Sequence, residues 1–226
     1  LDGFAVLLSR LYAIADAQVL AGRGVSLEAF AWELRAAGVR LVQYRDKVGS
    51  PQEVLRGAGI LRRVFGEGVF PGSTMGPSNL GHAILVMNDR ADFAVLAGFD
   101  GVHVGQEDLE PEDAKAVVGV GRLVGVSTHT EEQVWQAELS CADYVAIGPV
   151  FATGTKADAE AVVGLAGVRR ARELTPKPLV AIGGITRANA RSVIEAGADS
   201  VAVISGLFAP RESVEKVARD FLDILR

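Results

Sequence analysis

The chain repeats one pattern eight times: a short, almost unbroken apolar run, then a longer stretch with apolar residues at helical spacing. The runs are Leu11–Ala15, Arg40–Tyr44, Ala83–Met87, Gly101–Val104, Leu123–Val126, Tyr144–Ile147, Leu179–Ile182 and Ser200–Ile204. Such runs are expected of parallel strands covered by helices. The spacing predicts helices over Leu27–Ala37, Pro51–Phe65, Ala91–Ala97, Pro111–Val118, Glu131–Ser140, Leu165–Leu174, Arg187–Ala196 and Arg211–Leu225. Ser50-Pro51 with Glu53 reads as a capping box with proline in the first turn. Thr130 and Thr186 read as N-caps, and Gly38, Gly98 and Gly197 as left-handed C-caps ahead of the next strand.

Three phrases, Ala37-Gly38-Val39-Arg40, Ala97-Gly98-Phe99-Asp100 and Ala196-Gly197-Ala198-Asp199, are variants of one helix-to-strand turn. A recurring turn implies a recurring βα unit. Eight such units with right-handed crossovers give an α/β fold, a single (β/α)₈ TIM barrel over residues 1–226. The alternative is an open, doubly wound sheet. Gly66–His82, rich in Gly, Pro and Ser, reads as a long surface loop inside one unit.

Composition narrows the picture. With 49% hydrophobic residues the chain can bury a large core without cross-links. Cys141 is the one cysteine, which excludes an internal disulfide and fits a reducing, cytoplasmic setting. A net charge of −5 speaks against nucleic acid or an anionic membrane as partner. No apolar run is long enough to span a bilayer, and the N-terminus lacks the basic region and cleavage site of a secretory signal.

In a barrel of this kind the chemistry sits just after the strands. After the second strand, alternation puts Gln43, Arg45 and Lys47 on one side, a set suited to a diphosphate; a solvated charged turn is the plainer reading. Asn88-Asp89-Arg90 follows the third strand and Gly105-Gln106-Glu107-Asp108 the fourth. Asp89 and Asp108, on neighbouring loops, suit Mg²⁺ shared with phosphate oxygens, although each acid alone reads as a turn residue. Ser127 and His129 follow the fifth strand, with Thr130 as the helix cap. Thr153, Thr155 and Lys156 lie on the glycine-containing loop after the sixth, which reads as a phosphate loop or as an ordinary mobile one. Gly183-Gly184 and Ile204-Ser205-Gly206 follow the seventh and eighth, where barrels bind phosphate through backbone N–H groups. Two anion sites in one mouth point to a transfer between two phosphorylated molecules.

These residues, taken in order from about Leu11 to Phe208, resemble the thiamine-phosphate synthase family. The resemblance rests on Gln43-x-Arg45-x-Lys47, Asn88-Asp89-Arg90, His103-Val-Gly105-Gln106-Glu107-Asp108, Gly125-Val-Ser127-x-His129-Thr130, Gly148-Pro-Val-Phe-x-Thr153-x-Thr155-Lys156, Gly183-Gly184 and Val203-Ile204-Ser205. It implies small-molecule substrates, an aminopyrimidine diphosphate and a thiazole phosphate, joined with release of diphosphate. By the same resemblance Gln43, Arg45, Lys47, Asn88 and Lys156 hold the diphosphate, and Asp89 and Asp108 ligate Mg²⁺. Ser127 lies near the pyrimidine, Thr153 and Thr155 touch the thiazole phosphate, and backbone at Gly184, Ile204 and Ser205 completes that site. Arg45, Lys47, Ser127 and Lys156 are the expected catalytic groups. Ala152 stands where the family often has proline, and the 66–82 loop looks longer than usual.

Two other functions compete: the related thiazole tautomerase, which has no diphosphate to bind, and a catalytically silent phosphate-binding barrel. Of the remaining residues, His103 reads as a buried, hydrogen-bonded histidine near the site, His82 as solvated and Cys141 as a small core residue. Trp32 and Trp135 are expected to pack against the barrel or a second subunit, which leaves room for a homo-oligomer.

Overall fold

A computed structural model describes residues 8–66, 83–154 and 161–226. Eight parallel strands close into a barrel in sequence order: β1 (Leu11–Asp16), β2 (Leu41–Arg45), β3 (Ile84–Asn88), β4 (Gly101–Val104), β5 (Leu123–Thr128), β6 (Tyr144–Ile147), β7 (Leu179–Ile182) and β8 (Ser200–Val203). The ring closes where β1 meets β8, Leu11 opposite Val201. The helices are α1 (Ala17–Gly22), α2 (Leu27–Ala37), α3 (Pro51–Phe65), α4 (Ala91–Leu96), α5 (Pro111–Val118), α6 (Glu131–Leu139), α7 (Gly164–Leu174), α8 (Ala190–Glu195) and α9 (Val214–Ile224). Each expected strand is present within about two residues, because in a closed parallel sheet apolar positions are buried on both faces. Among the described residues no helix is long and apolar enough to cross a membrane.

Local chemistry accounts for most helix ends. Ser50 and Glu53 form the reciprocal capping box of α3, and Thr130 and Gln133 form another on α6. Gly38 ends α2 at φ 88°, in the left-handed region a side chain would resist. Thr186 does not cap α8: the chain turns once more through its carbonyl, which accepts from Asn189 and Ala190 N–H, and the helix starts at Ala190. Cys141 is also not a core residue; it is exposed in the turn between α6 and β6. Trp32 and Trp135 stay about half exposed on α2 and α6.

Two apolar layers hold the fold. The larger lies between strands and helices, with Phe30, Leu34, Leu61, Phe99 and Phe221 fully buried. The smaller fills the barrel itself with Tyr12, Ile14, Leu41, Val86, Tyr144, Val180 and Ala202. Tyr144 is the bulkiest occupant alongside Tyr12, and it fits because the facing strand is bare: a Cβ on Gly125 would stand 2.0 Å from its ring. Gly125→Ala therefore overpacks the barrel. We expect a loss of about 1–3 kcal/mol in urea unfolding; an unchanged midpoint would show that the Tyr144 ring has room to move.

Candidate active site

The mouth of the barrel carries two unlike halves. On the first half, β1 and β2 end in charge, and the loops after β3 and β4 carry Asp89 and Asp108. Asp16 closes β1 at 2% exposure; one carboxylate oxygen accepts from Gln18 and Val19 N–H and so starts α1, and the other lies 2.5 Å from Arg45 Nη1. Arg45 at the end of β2 is thereby fixed by a group already held in place. Lys47 Nζ lies 2.5 Å from Asp89 Oδ2. Asp89 sits at φ 61°, which acidic and amide side chains tolerate better than most, and its N–H donates to the His103 carbonyl at 2.7 Å. That turn brings its carboxyl against Asp108, whose Oδ2 accepts from Gly105 N–H at 2.7 Å. Burial, with Asp108 close by, holds the Asp89 carboxyl above its usual range against the opposing pull of Lys47. Two carboxylates in contact beside one ammonium suit a hard divalent cation.

The second half is neutral and built from backbone. Gly183 and Gly184 follow β7 at φ 102° and 64°. A Cβ on Gly183 would meet Pro149 at 2.6 Å, and one on Gly184 would meet the Ala152 carbonyl at the same distance. Only glycine allows the loops after β6 and β7 to pack this closely. Val150 and Phe151 N–H donate to the Ile182 and Gly183 carbonyls across that contact, and the Gly148–Pro149 peptide is cis. A short 3₁₀ turn, Ser205–Leu207, follows β8.

Between the halves lies a cavity of about 530 Å³. Of the expected residues, Lys47, Asp108, Ser127, Thr153, Gly184, Ile204 and Ser205 line it. The sequence of the chain matches the family model described as thiamine monophosphate synthase over residues 11–207.

The chain belongs to the thiamine monophosphate synthase family.

It is 51% identical to the thiamine-phosphate synthase of Koribacter versatilis over 96% of both chains. It is 40% identical to that of Chloroflexus aurantiacus over 88% of this chain and 85% of the relative. The solved thiamine phosphate pyrophosphorylase of Pyrococcus furiosus superposes with a TM-score of 0.77 at 31% identity, covering 96% of this chain and 95% of that one.

Within this family member the remaining expected residues fall at different depths. Gln43 is buried at 3% exposure and donates to the Tyr12 hydroxyl below the cavity. Asn88 ends β3 in register with His103. Thr155 and Lys156 lie outside the described residues, as does the 67–82 stretch with His82. Reading the strand ends missed Asp16, although it directly follows the first apolar run. Gln106, which the sequence places after the fourth strand without a role, has its amide donating to the Ser127 carbonyl at 2.6 Å. His129 lines the cavity with Nδ1 2.6 Å from the Gly148 carbonyl.

The glycine loop is fastened from behind. Asn189 Nδ2 donates to the Gly184 carbonyl, and Arg187 reaches Glu212 and Asp220 of the α9 segment at 2.5–3.0 Å. Hydrogen bonding to Arg187, then to Lys216, draws the Glu212 carboxyl down from 4.5 to about 2. A carboxylate depressed in the fold adds stability that is complete above its ordinary value and lost as pH falls through its folded one. The urea midpoint of Arg187→Gln should thus lie below wild type at neutral pH, with the gap narrowing below about pH 4.5. A gap indifferent to acid would mean the cluster acts only by packing.

Proposed function

We propose that this protein is a thiamine-phosphate synthase, joining an aminopyrimidine diphosphate to a thiazole phosphate with release of diphosphate. One observation carries the reading: a single cavity has charged groups at one end and a glycine-built backbone loop at the other. The first end suits a diphosphate that must leave, and the second a phosphate that only needs to be held.

On this reading Arg45 and Lys47 grip the diphosphate with Asn88 behind them, Gln43 braces the floor below through Tyr12, and Lys156 joins from the loop after β6 by the family resemblance. Asp89 and Asp108 hold Mg²⁺, which when bound supplies positive charge against the leaving oxygens. Ser127 meets the pyrimidine. Thr153, Thr155 and the backbone of Gly184, Ile204 and Ser205 orient the thiazole phosphate. The aminopyrimidine spreads the positive charge left on its methylene carbon as diphosphate departs, and the thiazole nitrogen then forms the new C–N bond. The protein need supply no nucleophile; it supplies charge complementarity and alignment of two bound partners.

The test is thiamine phosphate formation from the two substrates. Wild-type protein should turn over with Mg²⁺ and lose activity on chelation. Arg45→Ala should lower kcat/KM about 100-fold or more, measured below its melting temperature, which falls because the buried Asp16 Oδ2 loses its cation. Near-normal turnover of that variant would remove Arg45 from the diphosphate site. No product from folded wild-type protein would turn the reading to thiazole isomerisation or silent binding.

A further inference from the structure

Five side chains from five strands form one hydrogen-bond chain through the barrel floor. Gln43 Nε2 donates to the Tyr12 hydroxyl at 2.9 Å, and the Tyr12 and Tyr144 hydroxyls are 3.0 Å apart. The Tyr144 hydroxyl is 3.0 Å from His103 Nδ1, and His103 Nε2 is 2.8 Å from Ser127 Oγ. Gln43, Tyr12, Tyr144 and His103 are all buried, whereas Ser127 lines the cavity. Burial raises both phenols well above their ordinary pKa, so each stays a neutral hydroxyl with one hydrogen to give.

Such a chain has a direction. An amide NH₂ only donates, so Tyr12 accepts from Gln43 and passes its own hydrogen to Tyr144. Tyr144 in turn gives its hydrogen to His103 Nδ1. A neutral imidazole accepting at Nδ1 carries its proton on Nε2, and that N–H points at Ser127 Oγ. With one lone pair engaged by His103, the Ser127 hydroxyl hydrogen is turned away from the floor and toward the cavity. Reversing Gln43 would reverse every member: Ser127 would donate downward and show the cavity only lone pairs.

We propose that the chain fixes Ser127 as a hydrogen-bond donor to the substrate, with His103 as a positioning residue locked in its Nε2–H tautomer. Resting on the functional reading above, Ser127 then recognises an acceptor on the pyrimidine, a ring nitrogen, and not the exocyclic amino group, which is itself a donor. His103 and Tyr144 touch no substrate and act through Ser127.

The experiment is ¹⁵N NMR of the imidazoles in ligand-free protein, with His103 assigned by its loss in His103→Gln. The expected state is Nε2–H with Nδ1 unprotonated; an Nδ1–H tautomer overturns the proposal. Tyr144→Phe keeps the ring against Gly125 but removes the hydrogen that fixes Nδ1. It should give a mixture of tautomers and raise KM for the pyrimidine diphosphate about fivefold, the worth of one hydrogen bond, with KM for the thiazole phosphate unchanged. His103→Gln, whose amide can still donate to Ser127, should retain more affinity for the pyrimidine diphosphate than His103→Leu. An unchanged tautomer and unchanged KM in Tyr144→Phe, or equal losses in the two His103 variants, also overturn it. Failure of wild-type protein to make thiamine phosphate would instead reject the functional reading, and the imidazole spectrum would still decide the chain's direction.

Discussion

A closed barrel of eight parallel strands must fill its own centre with the side chains that alternation turns inward. Here the filling depends on one contact, the Tyr144 ring against the bare backbone of Gly125. The ring stacks on His103 with centroids 5.5 Å apart and meets Tyr12 edge-on at 6.2 Å. Its hydroxyl joins β6 to β1 and β4 at a depth where water does not compete. An unpaired hydroxyl there would cost more than a hydrogen bond gains, so the floor is held in one arrangement by mutual satisfaction.

The cavity follows from what stands above that floor. Two residues on from Tyr144 is Ala146, and two further is Gly148, so β6 tapers from a phenol to no side chain as it rises. Ala202 does the same service on β8, and all three of these small positions border the cavity. The space is therefore written into the strands themselves. The loops above it then need only be held at the right height, which the glycines after β7 and the Arg187 cluster accomplish from opposite sides.

Much of this is legible in the amino-acid sequence. Strands that are apolar on both faces announce themselves by composition, and caps such as Ser50 and Thr130 depend on a few adjacent residues. The features that escaped depend on distant partners. Asp16 gains its role from Arg45, 29 residues away, and the short α1 it caps has only six residues in which to show a period. Alternation put Gln43 and Arg45 on the same face but was silent on depth. Depth is set by the stagger of neighbouring strands, which sends Gln43 to Tyr12 and Arg45 to Asp16. Thr186 reads as the cap, yet it is Asn189 that ties the turn, accepting from Thr186 N–H and donating to the Gly184 carbonyl.

The charges of the mouth are already paired within the chain, and this bears on how it would take up an anion. Arg45 holds Asp16 and Lys47 holds Asp89, so neither cation stands without a counter-charge. Asp89 also faces Asp108, and burial first, with Asp108 beside it, raises its pKa. On the proposed reading, a diphosphate arriving alone meets two carboxylates and competes with one of them for Lys47. A divalent cation held by Asp89 and Asp108 would offset both carboxylates and leave Lys47 to a phosphate oxygen. On that reading a bound metal would be favoured by this carboxylate pair as well as by the chemistry of the leaving group.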